Sequence, residues 1–68
     1  MRQYTLEIYK PAWPSTGTLA RIHTGDFEEN RDTLSPSMVS TYQVTASNKR
    51  EAHKKARTML APDIKLER

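Results

Sequence analysis

Two histidines, His23 and His53, an acidic run from Asp26 to Asp32, and a cluster of bases from Lys49 to Arg57 are the residues whose types and spacing could do chemistry. An imidazole beside a carboxylate can move protons or hold a metal, and His23 with Asp26 or Glu28 has the right groups for either. Catalysis needs more, a nucleophile with its base or two carboxylates in different environments, and neither arrangement is spelled out here. No His-x-x-x-His pair exists, and Gly17 and Gly25 stand alone, so there is neither a metal-ligand spacing nor a phosphate-cradling glycine loop. The absence of cysteine removes thiolate nucleophiles, disulfides and Cys-ligated zinc. These residues point away from an enzyme, a metal site or a bound cofactor and toward a protein that works by binding.

The bases carry the clearest pattern. At 100° per residue Arg50, His53, Lys54 and Arg57 share one side of a helix, spread over roughly 10 Å at 1.5 Å per residue. Such a row suits a line of phosphates, and Lys49 adds charge at a helix N-terminus whose dipole already favours anions. A solvated helix face looks the same. Asp26, Glu28, Glu29 and Asp32 form a second candidate surface of opposite sign. Trp13, between Pro11 and Pro14, is either a lid on the core or an exposed anchor for a partner.

Those side chains must be positioned by a few elements. Residues 2–10 alternate, with Tyr4, Leu6 and Ile8 inward and Gln3, Thr5, Glu7 and Tyr9 outward, the period of a half-buried strand. Thr18 to Thr24 predicts a second strand with Ala20 and Ile22 inward. Leu19 falls on the wrong side of it, which suggests a bulge or bend. After the Thr24-Gly25-Asp26 turn signal the acidic stretch reads as a long loop or a helical turn carrying Phe27 inward. A third strand begins near Met38 and sets Tyr42, Val44 and Ala46 inward. The period then switches to that of a helix. Asn48 caps it, with Glu51 reaching back in a capping box, and Ala52, Ala56, Met59 and Leu60 form a narrow apolar stripe. Glu51 and Lys55 form an i,i+4 pair, and Pro62 ends the helix. The expected fold is α+β, a three-stranded antiparallel sheet packed on one C-terminal helix in the order β-β-β-α. It makes a single domain over residues 1–61 and a tail over 62–68, where Ile64 and Leu66 add a short edge pairing. Gln3, Thr5, Tyr9, Gln43 and Thr45 would then form a polar sheet face open to a partner.

Composition sets the scale. Sixty-eight residues hold one modest core, and only eleven are Leu, Ile, Val or Phe. That share borders on disorder, but a net charge of +3 is low, and the Tyr, Trp and Met residues add apolar bulk. The chain reads as a folded, marginal domain that a homodimer or a partner would stabilise. Its charge is segregated: +2 over residues 1–25, −3 over 26–48 and +4 over 49–68. The basic last third predicts an anionic partner, nucleic acid or an acidic protein surface. No apolar run is long enough for a signal peptide or a membrane span, so the expected location is the cytoplasm, with no membrane partner.

Two resemblances follow from these residues. The run Asn48-Lys49-Arg50-Glu51-Ala52-His53-Lys54-Lys55-Ala56 resembles the start of the last helix of double-stranded-RNA-binding domains, which follows a third strand and touches phosphates. The resemblance implies phosphate contacts at Lys49, Arg50 and His53. That family's first helix and Gly-Pro-x-His loop have no counterpart here. By layout alone, three strands and a helix also resemble the arm-binding domains of phage integrases. The strand at Met1, the proline-rich connection and Val44-Thr45-Ala46 leading into Ala52-x-x-x-Ala56 resemble small phage and mobile-element proteins, including anti-CRISPR proteins. This second likeness implies an inhibitor of a host defence nucleoprotein complex that occludes a surface, in the host cytoplasm. Direct nucleic-acid binding through helix 49–57 is the alternative.

Overall fold

The computed structural model describes residues 1–11 and 17–67; Trp13 lies outside the described residues. Five elements occur in the order β1 (Arg2–Tyr9), β2 (Leu19–Thr24), β3 (Met38–Ala46), α1 (Lys49–Met59) and β4 (Lys65–Leu66). The fold is α+β, and its sheet is four-stranded in the order β3-β1-β2-β4. β1 runs antiparallel to both neighbours, but β4 lies parallel to β2. The sheet is therefore mixed rather than three antiparallel strands. The added strand is the short edge pairing expected of the tail, formed by Lys65 and Leu66 on β2, and it gives the sheet a fourth, parallel strand.

One face of the sheet meets the helix as the alternation requires. Tyr4, Leu6, Ile8, Ala20, Ile22, Val44 and Ala46 are buried together with Ala52 and Ala56, whose small side chains let α1 lie close. Leu60, Ile64 and Leu66 pack against the margin of this core, which ties β4 to it. Met59 and Tyr42 depart from the expected pattern and stay about half exposed, because the contact made by the two alanines is too narrow to cover them.

The other face is covered as well, which the alternation did not foretell. Thr5, Glu7 and Tyr9, expected outward, are all buried. Topology supplies the reason. β2 ends level with Tyr4 and β3 starts level with Tyr9 on the far side of β1, so the connection 25–37 must return along the sheet and cross β1. It crosses over the face opposite α1, where Ser35 N–H reaches the Glu7 carboxylate. Only Gln3, Gln43 and Thr45 remain as an open polar patch, tied together through the Gln3 amide oxygen.

Candidate functional site

The helix that carries the basic row begins where the cap predicts. Asn48 Oδ1 accepts from Glu51 N–H at 2.9 Å, which fixes the first turn. The Glu51 carboxylate accepts from Ser47 Oγ at 2.7 Å rather than closing the box on Asn48, and it pairs with Lys55 at 3.4 Å. The Ser47 hydrogen bond, with help from Lys55, holds the Glu51 carboxyl below its usual range. Lys55 Nζ also donates to Thr45 O at 2.6 Å, clamping the helix to the outer edge of β3.

Arg50, His53, Lys54 and Arg57 line one open hollow of about 630 Å³ on the outer side of α1. Arg50, Lys54 and Arg57 are exposed and form no ion pair with any described residue. His53 is half-buried at the margin of the hollow, and Lys49 is exposed at the helix start. Arg57 also borders an adjoining hollow with Lys65, Leu60, Ile64 and Leu66, so the positive surface continues toward β4. Cations left unpaired in a concave surface keep their charge available to an anion from outside.

The acidic segment is built differently. Asp26 Oδ1 accepts from Glu29 N–H at 3.0 Å, and buried Asn30 donates to Thr24 O and Asp26 O at 3.0 and 2.9 Å. The turns run through Phe27 O to Asn30 N and Asn30 O to Thr33 N. Phe27, inward only on the helical-turn alternative, is exposed, because Asn30 takes the inward position of this turn. Gly25, with φ of +99°, allows the chain to leave β2. Of the four acids, Asp26 serves the turn and Glu28 faces Arg31 at 3.4 Å, whereas Glu29 and Asp32 are exposed and form no ion pair with a described residue.

The cluster that sequence reasoning missed lies under this connection. Glu7 is 0% exposed, and its Oε1 accepts from Arg21 Nε at 2.8 Å and His23 Nε2 at 2.7 Å while Oε2 accepts from Ser35 N–H at 2.7 Å. Burial pushes the carboxyl up, but hydrogen bonds from Arg21, His23 and Ser35 outweigh it and leave the group below its ordinary 4.5. Arg21 lies over the Tyr9 ring at 4.5 Å. Burial, with the nearby Glu67 carboxylate, pushes the Tyr9 hydroxyl up to about 12. A signal for this cluster existed: Arg21 and His23 share the β2 face that a hairpin sets against Glu7. His23 is thus a member of a buried network rather than a lone imidazole. The carboxylate is fully buried, and through Ser35 N–H the network pins 25–37 to the sheet. Among the described residues no three His, Asp or Glu side chains converge to hold a metal ion, and no helix is long and apolar enough to cross a membrane.

No known protein family, curated protein or solved structure matches the chain.

Proposed function

We propose that this chain is a non-catalytic binding protein whose α1 outer face holds the phosphate backbone of a nucleic acid. One observation carries the reading: Arg50, Lys54 and Arg57 line a single hollow with His53 and leave their charge uncompensated by any described carboxylate. Lys49 at the start of the helix and Lys65 beside Arg57 extend the same surface. Contacts of this kind position a backbone without reading bases, so the expected binding is salt-sensitive and weakly selective for sequence.

Fluorescence anisotropy with labelled duplex DNA, duplex RNA and single strands tests it. Three to four phosphate contacts predict an affinity for duplex DNA that falls roughly 40- to 150-fold when salt rises fourfold. Replacing Arg50, Lys54 and Arg57 by Glu abolishes binding if α1 is the contact surface. Absence of binding at low salt to every one of these probes would overturn the reading.

A second reading is favoured by the placement of the remaining acids. Glu28, Glu29 and Asp32 are exposed on the connection that crosses the face opposite α1, so one molecule presents opposite charges on its two sides. An occluding inhibitor of a defence nucleoprotein complex, of the anti-CRISPR type, would use both sides, one on a basic groove and one on an acidic surface. Neutralising Glu28, Glu29 and Asp32 would then impair inhibition and leave nucleic-acid binding unchanged.

A further inference from the structure

β3 is an edge strand, and among the described residues its outer edge has none of the usual guards along most of its length. Met38–Ala46 contains no charged residue, proline or glycine, whereas edge strands are ordinarily blunted by Lys, Pro or brevity. Its single irregularity is a register shift opposite Ile8 and Tyr9, which leaves Ser40–Ala46 regularly paired with Ile8–Arg2.

The direction of each backbone group follows from alternation. Gln3 O accepts from Gly25 N–H at 2.8 Å, so Gln3 and the other odd-numbered residues of β1 bond toward β2. The even-numbered residues bond toward β3, and their partners Ser40, Tyr42, Val44 and Ala46 bond inward. Thr41, Gln43 and Thr45 therefore turn their N–H and C=O groups outward. The Thr45 carbonyl is indeed reached from outside, by Lys55 Nζ at 2.6 Å. Thr41 and Gln43 are left with outward backbone groups bonded to no described residue on the two sides of Tyr42, a residue that is 48% exposed.

We propose that this edge pairs with the same edge of a second copy, antiparallel, about a two-fold axis at Tyr42. Thr41 of each chain exchanges N–H···O=C bonds with Gln43 of the other, and the two Tyr42 rings meet as a non-hydrogen-bonded cross-strand pair on the helix side. Charge favours a second copy here over other places on a chain of net charge +3. Ser40–Thr45 opposes no like charges when paired with itself, and the row Arg50, His53, Lys54 and Arg57 lies off the side of α1 that Lys55 fastens to β3. A two-fold perpendicular to the sheet keeps both helices on one face, so the dimer would present two basic rows in the same direction. Lys55 remains as a guard at the Thr45 end and confines the pairing to a short segment, which makes a weak dimer the expected form.

Sedimentation equilibrium over micromolar to millimolar concentrations reads the mass directly. The wild-type chain should move from 7.8 kDa toward twice that value. Tyr42→Lys should remain monomeric at every concentration. Gln43→Pro should do the same while keeping its circular dichroism, because the lost N–H points away from β1. In a chain without cysteine, Tyr42→Cys should cross-link to a dimer on mild oxidation, since directly opposed residues in such a pair lie close enough for a disulfide, while Asp63→Cys beside β4 should not. A wild-type chain that stays at 7.8 kDa to millimolar concentration overturns the proposal. So does a dimer that survives in both Tyr42→Lys and Gln43→Pro. Neither outcome bears on phosphate binding by α1, which a monomer could perform.

Discussion

Replacing Glu7 by Gln keeps the shape of the buried side chain and removes one acceptor and the charge. In the wild type two oxygens serve three donors, Arg21 Nε, His23 Nε2 and Ser35 N. Glutamine has one oxygen, so its amide N–H must face either the Ser35 N–H or the Arg21 and His23 pair, and a donor is left without a partner. A buried unsatisfied N–H costs about 1–3 kcal/mol, and hydrogen bonds to a charged group are worth about 1.5–3 kcal/mol each. The Arg21 side chain is 36% exposed, so its share is discounted for screening by solvent. A loss of about 2–4 kcal/mol follows, a large part of the roughly 3–10 kcal/mol a chain of this length has in total. Urea unfolding at pH 7 followed by circular dichroism measures it. The pH dependence separates this origin from simple loss of packing. Glu7 has a folded pKa below its unfolded value of 4.5, so its contribution is fully present above 4.5 and is lost as pH falls through the folded value. The gap between wild type and Glu7→Gln should therefore be widest at neutral pH and shrink below 4.5. A gap under about 0.5 kcal/mol at pH 7, or one that stays constant down to pH 3, would refute the pin.

Two smaller effects follow from the same structure. Asn48→Ala removes the acceptor of Glu51 N–H and should cost about 1 kcal/mol in urea unfolding, with a small loss of helical signal at 222 nm as the first turn of α1 frays. Gly25→Ala forces a Cβ onto a backbone with φ of +99° and places it 2.7 Å from Glu29 Oε2. The carboxylate can swing away, so the backbone dominates, and a thermal-melt loss of about 1–2 kcal/mol is expected. Ala at this position that melts with the wild type would show that the left-handed turn is not required.

How far the sequence could be read depended on whether a feature was local. The cap at Asn48, the buried Ala52 and Ala56, the Glu51 to Lys55 pair and the existence of strand β1 with Tyr4, Leu6 and Ile8 inward are set by neighbours within one turn or one strand, and each occurs as its residues imply. Alternation, however, says only which side chains share a face and nothing of what lies over that face. Glu7, Thr5 and Tyr9 look like solvent-facing positions until the topology routes residues 25–37 across them. Leu19 seemed misplaced for the same reason. Its register with Tyr9 is regular, and it needs no bulge because its face is also partly covered. Of the candidate site, the basic row was legible because helical periodicity alone brings Arg50, His53, Lys54 and Arg57 together. The work done by Asp26 inside its own turn was not, since Asx turns and exposed acids have the same composition.

The placement of the two charged surfaces follows from the handedness of the chain. β2 and β3 are both antiparallel to β1 and hence parallel to each other, and β4 is parallel to β2. The chain thus makes two parallel crossovers, β2 to β3 in one direction across the sheet and β3 to β4 in the other. Parallel crossovers are right-handed almost without exception, and two of like hand that travel in opposite directions must use opposite faces. Connection 25–37 takes one face and α1 the other, as the Ser35 to Glu7 hydrogen bond and the Ala52 and Ala56 contacts require. The acidic and basic surfaces are separated by the thickness of the sheet because sequence order assigns one to each crossover. The outer side of α1 and the edge of β3 point in different directions, one away from a face of the sheet and the other along its plane. Phosphate binding by α1 and pairing of the β3 edge, as proposed above, would therefore not compete.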